Sequence, residues 1–243
     1  MTANEVAAFG PEHADVYEAT YRARGKDWAR EAAEVTDRIR ARLPRASSLL
    51  DVACGTGAHL ETFAARFDHV EGLEIAAAMR ERAVRRLPGV PVHAGDMRDF
   101  DLGRSFDAIT CLYTAIAYLG TLAEMREAVG TMARHLALRG VLVVEPWWTP
   151  DRFIDGYVGG DLVRVEDRVV ARVSHTTGQG RTARMVVQWV VGEPSGVRRF
   201  TAVECFTMFT VKEYVAAFEA AGCQVEFEPE GLSGYGLFVA TRR

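Results

Sequence analysis

The sequence predicts an α/β fold, with a largely parallel sheet, a helical segment before it and an antiparallel β insertion within it. Three observations carry this. From residue 47 to 150, short apolar runs alternate with amphipathic stretches of helical length. The first run, SSLLDV, ends in the glycine loop CGTG and leads directly into such a stretch. From 151 to 210 the period drops to two, with Val, Arg and Thr alternating.

The elements follow in order. Residues 12–43 read as two helices parted near Gly25. The first carries Val16, Tyr17 and Tyr21; the second starts near Asp27, a side chain suited to an N-cap, and stops at Leu43 before Pro44. Strand SSLLDV, helix AHLETFAARF, strand HVEGLE and helix AAAMRERAVRRL come next, the last stopped by Pro88. VPVHAGD and FDAITCLY are strands, LAEMREAVGTMARHL a helix, and GVLVVEPWW a strand. Right-handed βαβ crossovers put the C-terminal ends of these strands along one edge. LVRVEDRVVARVSH, RTARMVVQWVV and RRFTAVECFTMF give three or four antiparallel strands, parted by the turn signals TTGQG and GEPSG. Helix VKEYVAAFEAAG, strand QVEFEPE, loop GLSGYG and strand LFVATR close the chain. The divisions are thus 1–46 (helical lid), 47–150 (core), 151–210 (insertion) and 211–243 (last helix and strands of the core).

Composition narrows the partners. The chain has 243 residues, 49% hydrophobic and 26% charged, with net charge −4. That balance argues against nucleic acid, which demands concentrated Lys and Arg. Apolar runs such as 141–144 are strand length, so no membrane span is expected. The start, MTANEVAAFG, lacks the basic and apolar regions of a secretory leader. Cys54, Cys111, Cys205 and Cys223 are scattered without CxxC spacing, which argues against a zinc or redox motif. Each lies in or beside an apolar segment and is expected to be a buried thiol in the cytoplasm. No metal site is expected.

The strongest signal is Asp51-Val52-Ala53-Cys54-Gly55-Thr56-Gly57. Glycines between a strand and a helix let a ligand approach the backbone closely. A dinucleotide fingerprint would place Gly or Ala three residues after Gly57, where Leu60 stands. Asp51, four residues before Gly55, suits an amine-bearing ligand rather than a pyrophosphate. Glu74 ends the second strand, where a carboxylate can accept both ribose hydroxyls. Asp96 and Met97 end the third and suit the amino group and face of an adenine. Each acid alone has a structural reading: Asp51 could orient the loop and Asp96 cap a turn. Three acids at three successive strand ends, at the edge where open α/β sheets bind ligands, point to one site.

DVACGTG, then Glu74, then GDM resembles the class I S-adenosylmethionine methyltransferases, with their Rossmann-like sheet, over residues 47–148. The resemblance implies that Asp51 and the Gly55–Gly57 backbone hold the methionine end, with Ala53 among the cofactor contacts. It assigns Glu74 to the ribose and Asp96 and Met97 to the adenine, with Ile75 a further cofactor contact. Leu112 and Tyr113 would lie near the sulfur. A narrower resemblance runs over nearly the whole chain. RGKDW, HLETF, GDMRDF, VVEPWW, RVSH and SGYGLFV are similar to the N,N-dimethyltransferases that finish thymidine-diphosphate amino-deoxysugars for antibiotics. In that family the antiparallel insertion serves as lid and dimer surface, so a homodimer is implied. Trp28 stands where the family usually has Tyr, Tyr235 where it has Arg, and Thr149 where it has Phe. CLYTAIAY replaces MFSSIGH or MFSSVGY, which puts Tyr118 at a position that varies between His and Tyr. An Arg at 235 would clamp a pyrophosphate. Without it, either Arg152, Arg172, Arg181 or backbone donors meet the phosphates, or the amine belongs to another small molecule.

Methyl transfer is an in-line displacement, so no protein nucleophile is needed and alignment of the reactants supplies the rate. The attacking amine must be neutral, although an alkyl ammonium has a pKa of about 10. Tyr118 and Glu145 are the candidates beside the amine, and Tyr17, Tyr21 and Trp28 the candidate lid over the cofactor. Trp147 and Trp148 could surround a cation or simply pack. With Arg152, His175 and Tyr235 they make up the expected substrate contacts. His59 reads as a helix-start residue. No strong general base is evident, which suggests catalysis by positioning. Two other readings stay open: a methyltransferase for another amine or a hydroxyl, and a binding protein that has kept the fold but lost catalysis.

Overall fold

The computed structural model describes residues 5–6 and 8–243. In chain order the elements are β1 (Glu5–Val6), α1 (Pro11–Ala23), α2 (Trp28–Arg42), β2 (Ser48–Val52), α3 (Ala58–Ala64) and β3 (His69–Glu74). Then come α4 (Ala77–Arg86), β4 (Val92–Ala94), β5 (Phe106–Cys111), a 3₁₀ turn at Ala115–Tyr118, α5 (Leu122–Arg134) and β6 (Leu136–Val144). Four long strands follow: β7 (Tyr157–Val165), β8 (Arg168–Gln179), β9 (Thr182–Glu193) and β10 (Gly196–Thr207). The chain ends with α6 (Val211–Ala220), β11 (Cys223–Glu228) and β12 (Leu237–Arg242).

Contacts divide the chain into two units. The core unit is Trp28–Arg152 with Thr207–Arg243; the other joins the residues up to Asp27 to Phe153–Phe206. The core sheet has the order β11-β12-β6-β5-β2-β3-β4. Its strands β2 to β6 pair in parallel, while β12 runs antiparallel to both its neighbours. The chain winds outward from β2 to β4, then returns to the other side of β2 at β5. The order therefore reverses between β2 and β5, and crevices for ligands form at the strand ends there. One buried cluster, with Ile109, Met125, Leu142 and Phe218, covers one face of this sheet. The other cluster includes Val35, Ile39, Leu60 and Phe63. The residues α2 contributes explain why it belongs to the core unit, although the sequence groups it with a lid ending at residue 46. Capping boxes at Thr121 and Glu124 and at Thr210 and Glu213 fix the starts of α5 and α6.

In the second unit the sheet order is β1-β10-β9-β8-β7. Its inner face buries Val163, Val170, Val187, Trp189 and Phe200 against Val16 of α1. Asp15 of α1 is bonded to Arg168 and Arg198.

Several expectations need correction. β6 begins at Leu136 and ends at Val144, so Glu145-Pro146-Trp147-Trp148 lies beyond the strand. TTGQG is mostly strand, and the chain turns only at Gly180 and Arg181. A further hairpin at Glu166 and Asp167 has no Gly or Pro; Glu166 itself takes the left-handed conformation, φ 54°. β1 went unread. Cys54, Cys111 and Cys223 are buried, but Cys205 is exposed. Alternation along β10 turns Ala202, Glu204 and Phe206 inward and Cys205 outward.

Candidate cofactor and acceptor site

β2 delivers Asp51 to the sheet edge as a buried carboxylate that accepts a hydrogen bond from Thr110 Oγ1 at 2.7 Å. Burial, with the charge of Glu74 adding to it, pushes its pKa up to about 7 against the pull of Thr110. Such a group lacks a cation. The loop that follows bends sharply: Ala53, Gly55 and Gly57 have φ of 57°, 58° and 78°. Gly57 N–H donates to Cys54 O at 3.0 Å. A Cβ on Gly57 would lie 3.1 Å from Ala83 Cβ, so the helix packing requires glycine there. A Cβ on Gly55 would meet nothing within 4 Å, so open space faces that backbone.

Glu74 ends β3 and is buried. Its Oε2 accepts from Gly55 N–H at 2.9 Å and its Oε1 from Ala76 N–H at 2.6 Å, which ties the glycine loop to the next strand end. Burial raises its pKa despite these bonds. Each oxygen keeps a further lone pair for a diol. Ile75 beside it is 66% exposed, an apolar surface left open to solvent. Asp96 accepts from Arg98 through N–H, Nε and Nη2, which lowers its pKa. Arg98 also reaches Glu124. Met97 is half-buried against the core.

The strand end of β5 is strained. Leu112 is buried, and Tyr113 and Thr114 both take the left-handed region, at φ 49° and 65°. Fully buried Glu145 braces this bend: its Oε2 accepts from Tyr113 N–H at 2.7 Å, and its Oε1 accepts from the Ser233 hydroxyl. Tyr118, half-buried, ends the 3₁₀ turn that follows. Trp147 is buried and Trp148 half-buried. The Trp148 ring meets Tyr235 edge-on at 4.6 Å, with the Arg152 guanidinium 5.1 Å from its centroid. Glu145, Trp148, Arg152, Ser233 and Tyr235 therefore belong to one neighbourhood of the core unit.

Trp28 opens α2 and is buried. Tyr17 and Tyr21 lie in the other unit on α1, their rings 4.8 Å apart. His175 is exposed on β8, on the face opposite to Arg172 and Ser174, between Val158 and Val186 of the flanking strands. Sequence reasoning missed Thr110, Ser233 and the buried pair of His59 with Glu31, whose Nε2 and Oε2 lie 2.9 Å apart. These partners are 28 to 88 residues apart in the chain, and only the polar types in apolar runs hinted at them.

The arrangement fits an adenosyl sulfonium amino acid. An uncompensated buried carboxylate at Asp51 calls for an ammonium, Gly55 leaves room against its backbone, and Glu74 is held to accept a diol. Among the described residues, no cluster of three or more His, Cys, Asp or Glu is spaced to hold a metal ion.

Comparisons with known proteins agree. A family model described as a methyltransferase domain matches residues 49–140. The chain is 54% identical to the dTDP-4-amino-2,3,4,6-tetradeoxy-D-glucose N,N-dimethyltransferase of Saccharopolyspora spinosa, over 97% of this chain and 95% of that one. Among solved structures it is similar to S-adenosylmethionine-bound CalS10, an amino pentose methyltransferase from Micromonospora echinaspora involved in calicheamicin biosynthesis. There the identity is 65% and the TM-score 0.88, over 94% of this chain and 97% of that one. DesVI of Streptomyces venezuelae is 50% identical with a TM-score of 0.93, over 95% and 98% of the two chains.

Proposed function

We propose, from the premise that this chain belongs to the family of dTDP-aminosugar N,N-dimethyltransferases, that it methylates the amine of a nucleotide-linked amino-deoxysugar. It is an S-adenosylmethionine-dependent methyltransferase with a Rossmann-like α/β core. The observation that carries the acceptor class is full-length similarity to three relatives that all act on amines of dTDP-sugars, though on differently deoxygenated rings.

The residues fit that chemistry. S-adenosylmethionine, when bound, supplies an electrophilic methyl group. Asp51 pairs with its ammonium, the Gly55 backbone lies against its methionine end, and Glu74 takes its ribose hydroxyls. Asp96 and Met97 border the adenine. Leu112 and Tyr113 fix the position of the methyl, because Glu145 holds the bend they sit on. The acceptor amine lies beside Tyr118 and reacts in its neutral, nucleophilic form, which burial from water favours. Trp148, Arg152 and Tyr235 contact the rest of the acceptor, with Arg152 the cation available to a phosphate. Both Glu145 oxygens already accept hydrogen bonds, which supports a positioning role. Catalysis is then mainly alignment, worth several kcal/mol.

A homodimer is part of the proposal. The outer face of the second sheet exposes Val158, Leu162, Val173 and Val190, a contiguous apolar patch of the kind that marks an interface. No helix among the described residues is long and apolar enough to cross a membrane. The four cysteines are free, and the proposed compartment is the cytoplasm.

The test is incubation with methyl-labelled S-adenosylmethionine and a panel of dTDP-aminosugars, amines at ring carbon 3 or 4, read by mass spectrometry. Label on sugar nitrogen supports the proposal. Label only on a hydroxyl, or on no member of the panel, refutes it.

A further inference from the structure

The loop between β11 and β12 reaches the strained bend after β5 through the buried carboxylate of Glu145. The loop is closed at its neck. Gly231 and Gly236 pair as a bridge, and a Cβ on Gly231 would lie 2.4 Å from the Gly236 carbonyl. Beside the neck, Gly234 N–H donates to Glu230 O at 2.9 Å. Three contacts fasten this frame to the segment that follows β6. The Ser233 hydroxyl donates to Glu145 Oε1, the Tyr235 ring meets Trp148 edge-on, and Arg152 Nη1 donates to Pro229 O at 3.3 Å. All of these residues belong to the core unit.

Ser233 itself is exposed, whereas Glu145 is wholly buried. A surface serine adds little to folding, so its hydroxyl is free to serve another end. Consecutive left-handed residues such as Tyr113 and Thr114 persist only where their surroundings over-determine them. Glu145 supplies that constraint. Its own N–H donates to Cys111 O at 2.9 Å, and its Oε2 accepts from Tyr113 N–H at 2.7 Å. The last torsion of a glutamate is broad, so a carboxylate held by one oxygen can swing. Ser233 holds the second oxygen and stops that swing. In-line displacement is sensitive to this, since a misplacement of about 1 Å can cost about 100-fold in rate.

We propose that Ser233 is a positioning residue for methyl transfer: its hydroxyl fixes the Glu145 carboxylate, which holds the bend at Tyr113 in line with the methyl group. This rests on the methyl position and acceptor class proposed above. Tyr235 stands two residues further along, so one closed loop carries both an acceptor contact and the brace for the methyl position.

The test is the single-turnover rate of the full-length protein with saturating S-adenosylmethionine and a dTDP-aminosugar. Titration calorimetry with S-adenosylhomocysteine and the acceptor, and thermal unfolding, run beside it. Ser233→Ala is expected to slow methyl transfer about ten-fold, with both affinities within about two-fold and the melting temperature unchanged. Ser233→Thr keeps the hydroxyl and should stay within about three-fold of wild type. Action through Glu145 makes the two changes non-additive, so Ser233→Ala added to Glu145→Ala should cost nothing more. A wild-type rate in Ser233→Ala would overturn the inference. So would weaker acceptor binding at an unchanged rate, which marks a direct contact, or losses that multiply in the double variant. The acceptor class fails separately: label only on some other acceptor refutes that class, and the same variants assayed on that acceptor still decide the role of Ser233.

Discussion

Replacing Asp51 by Asn separates the charge at the strand end from its shape. The amide keeps the acceptor that Thr110 Oγ1 reaches at 2.7 Å, so the local packing survives. What disappears is the pairing with the cofactor ammonium. Two unit charges about 4 Å apart at an effective dielectric of about 20 attract by about 4 kcal/mol. The Asn carbonyl still accepts one hydrogen bond from the ammonium, so the net loss is about 2–3 kcal/mol, roughly 30- to 150-fold in dissociation constant. S-adenosylhomocysteine carries the same ammonium, so calorimetric titration with it reads the loss without turnover. The carboxylate is also a proton switch. Its pKa is about 7 in the free protein, so wild-type affinity should fall as pH drops below 7 and stay flat above it. Asp51→Asn should show no such dependence. The sign for stability is the reverse. A group whose folded pKa is raised contributes stability below its unfolded value and loses it as pH rises through the folded one. Moving from 3.8 to about 7 therefore costs the cofactor-free wild type about 4 kcal/mol across that window. Cofactor-free Asp51→Asn should melt above wild type at pH 8 and near it at pH 4. Wild-type affinity for S-adenosylhomocysteine in this variant at every pH would refute the reasoning.

Substitutions at four further positions follow from the same geometry. Gly55→Ala, at φ 58° with open space beyond, should cost about 1 kcal/mol of stability yet weaken S-adenosylhomocysteine at least ten-fold. Gly57→Ala should cost about 2–4 kcal/mol, because its Cβ also presses on Ala83 at 3.1 Å; thermal unfolding and titration distinguish the two. Glu74→Ala leaves the Gly55 and Ala76 N–H groups without their acceptor and should cost about 2 kcal/mol in unfolding free energy, with at least ten-fold weaker cofactor binding. Glu145→Gln can still satisfy Tyr113 N–H and Ser233, so turnover should stay within about ten-fold of wild type, whereas Glu145→Ala releases the strained bend and should lose about 100-fold. A loss above about 10⁴-fold in Glu145→Gln at unchanged acceptor binding would instead mark general acid–base catalysis.

Much of the core was legible because its signals are local. The strand-loop-helix around Gly55 and Gly57, the acids at strand ends and the 3.6-residue stripes lie within short windows of sequence. What was hidden depends on distant partners or on backbone strain. Asp51 with Thr110 and Glu145 with Ser233 pair across 59 and 88 residues, and no spacing rule connects them. The turn at Glu166 and Asp167 lacks Gly or Pro, and the left-handed Tyr113 and Thr114 are set by the buried Glu145 rather than by their own types. Glu145 itself was visible as an acid beyond a strand, but not that both its oxygens would be engaged. Outward-facing Cys205 was legible in the alternation of β10 and was misread by treating its apolar neighbours as a block.

A crystal structure with S-adenosylhomocysteine and a dTDP-aminosugar bound together tests the central claim most directly. The account predicts the amino acid end of the cofactor against Asp51 and the Gly55 backbone, its ribose on Glu74, and the sugar nitrogen about 3–4 Å from the sulfur-bound methyl position. A cofactor seated away from these strand ends, or a sugar that turns an oxygen rather than its nitrogen toward the sulfur, would contradict it.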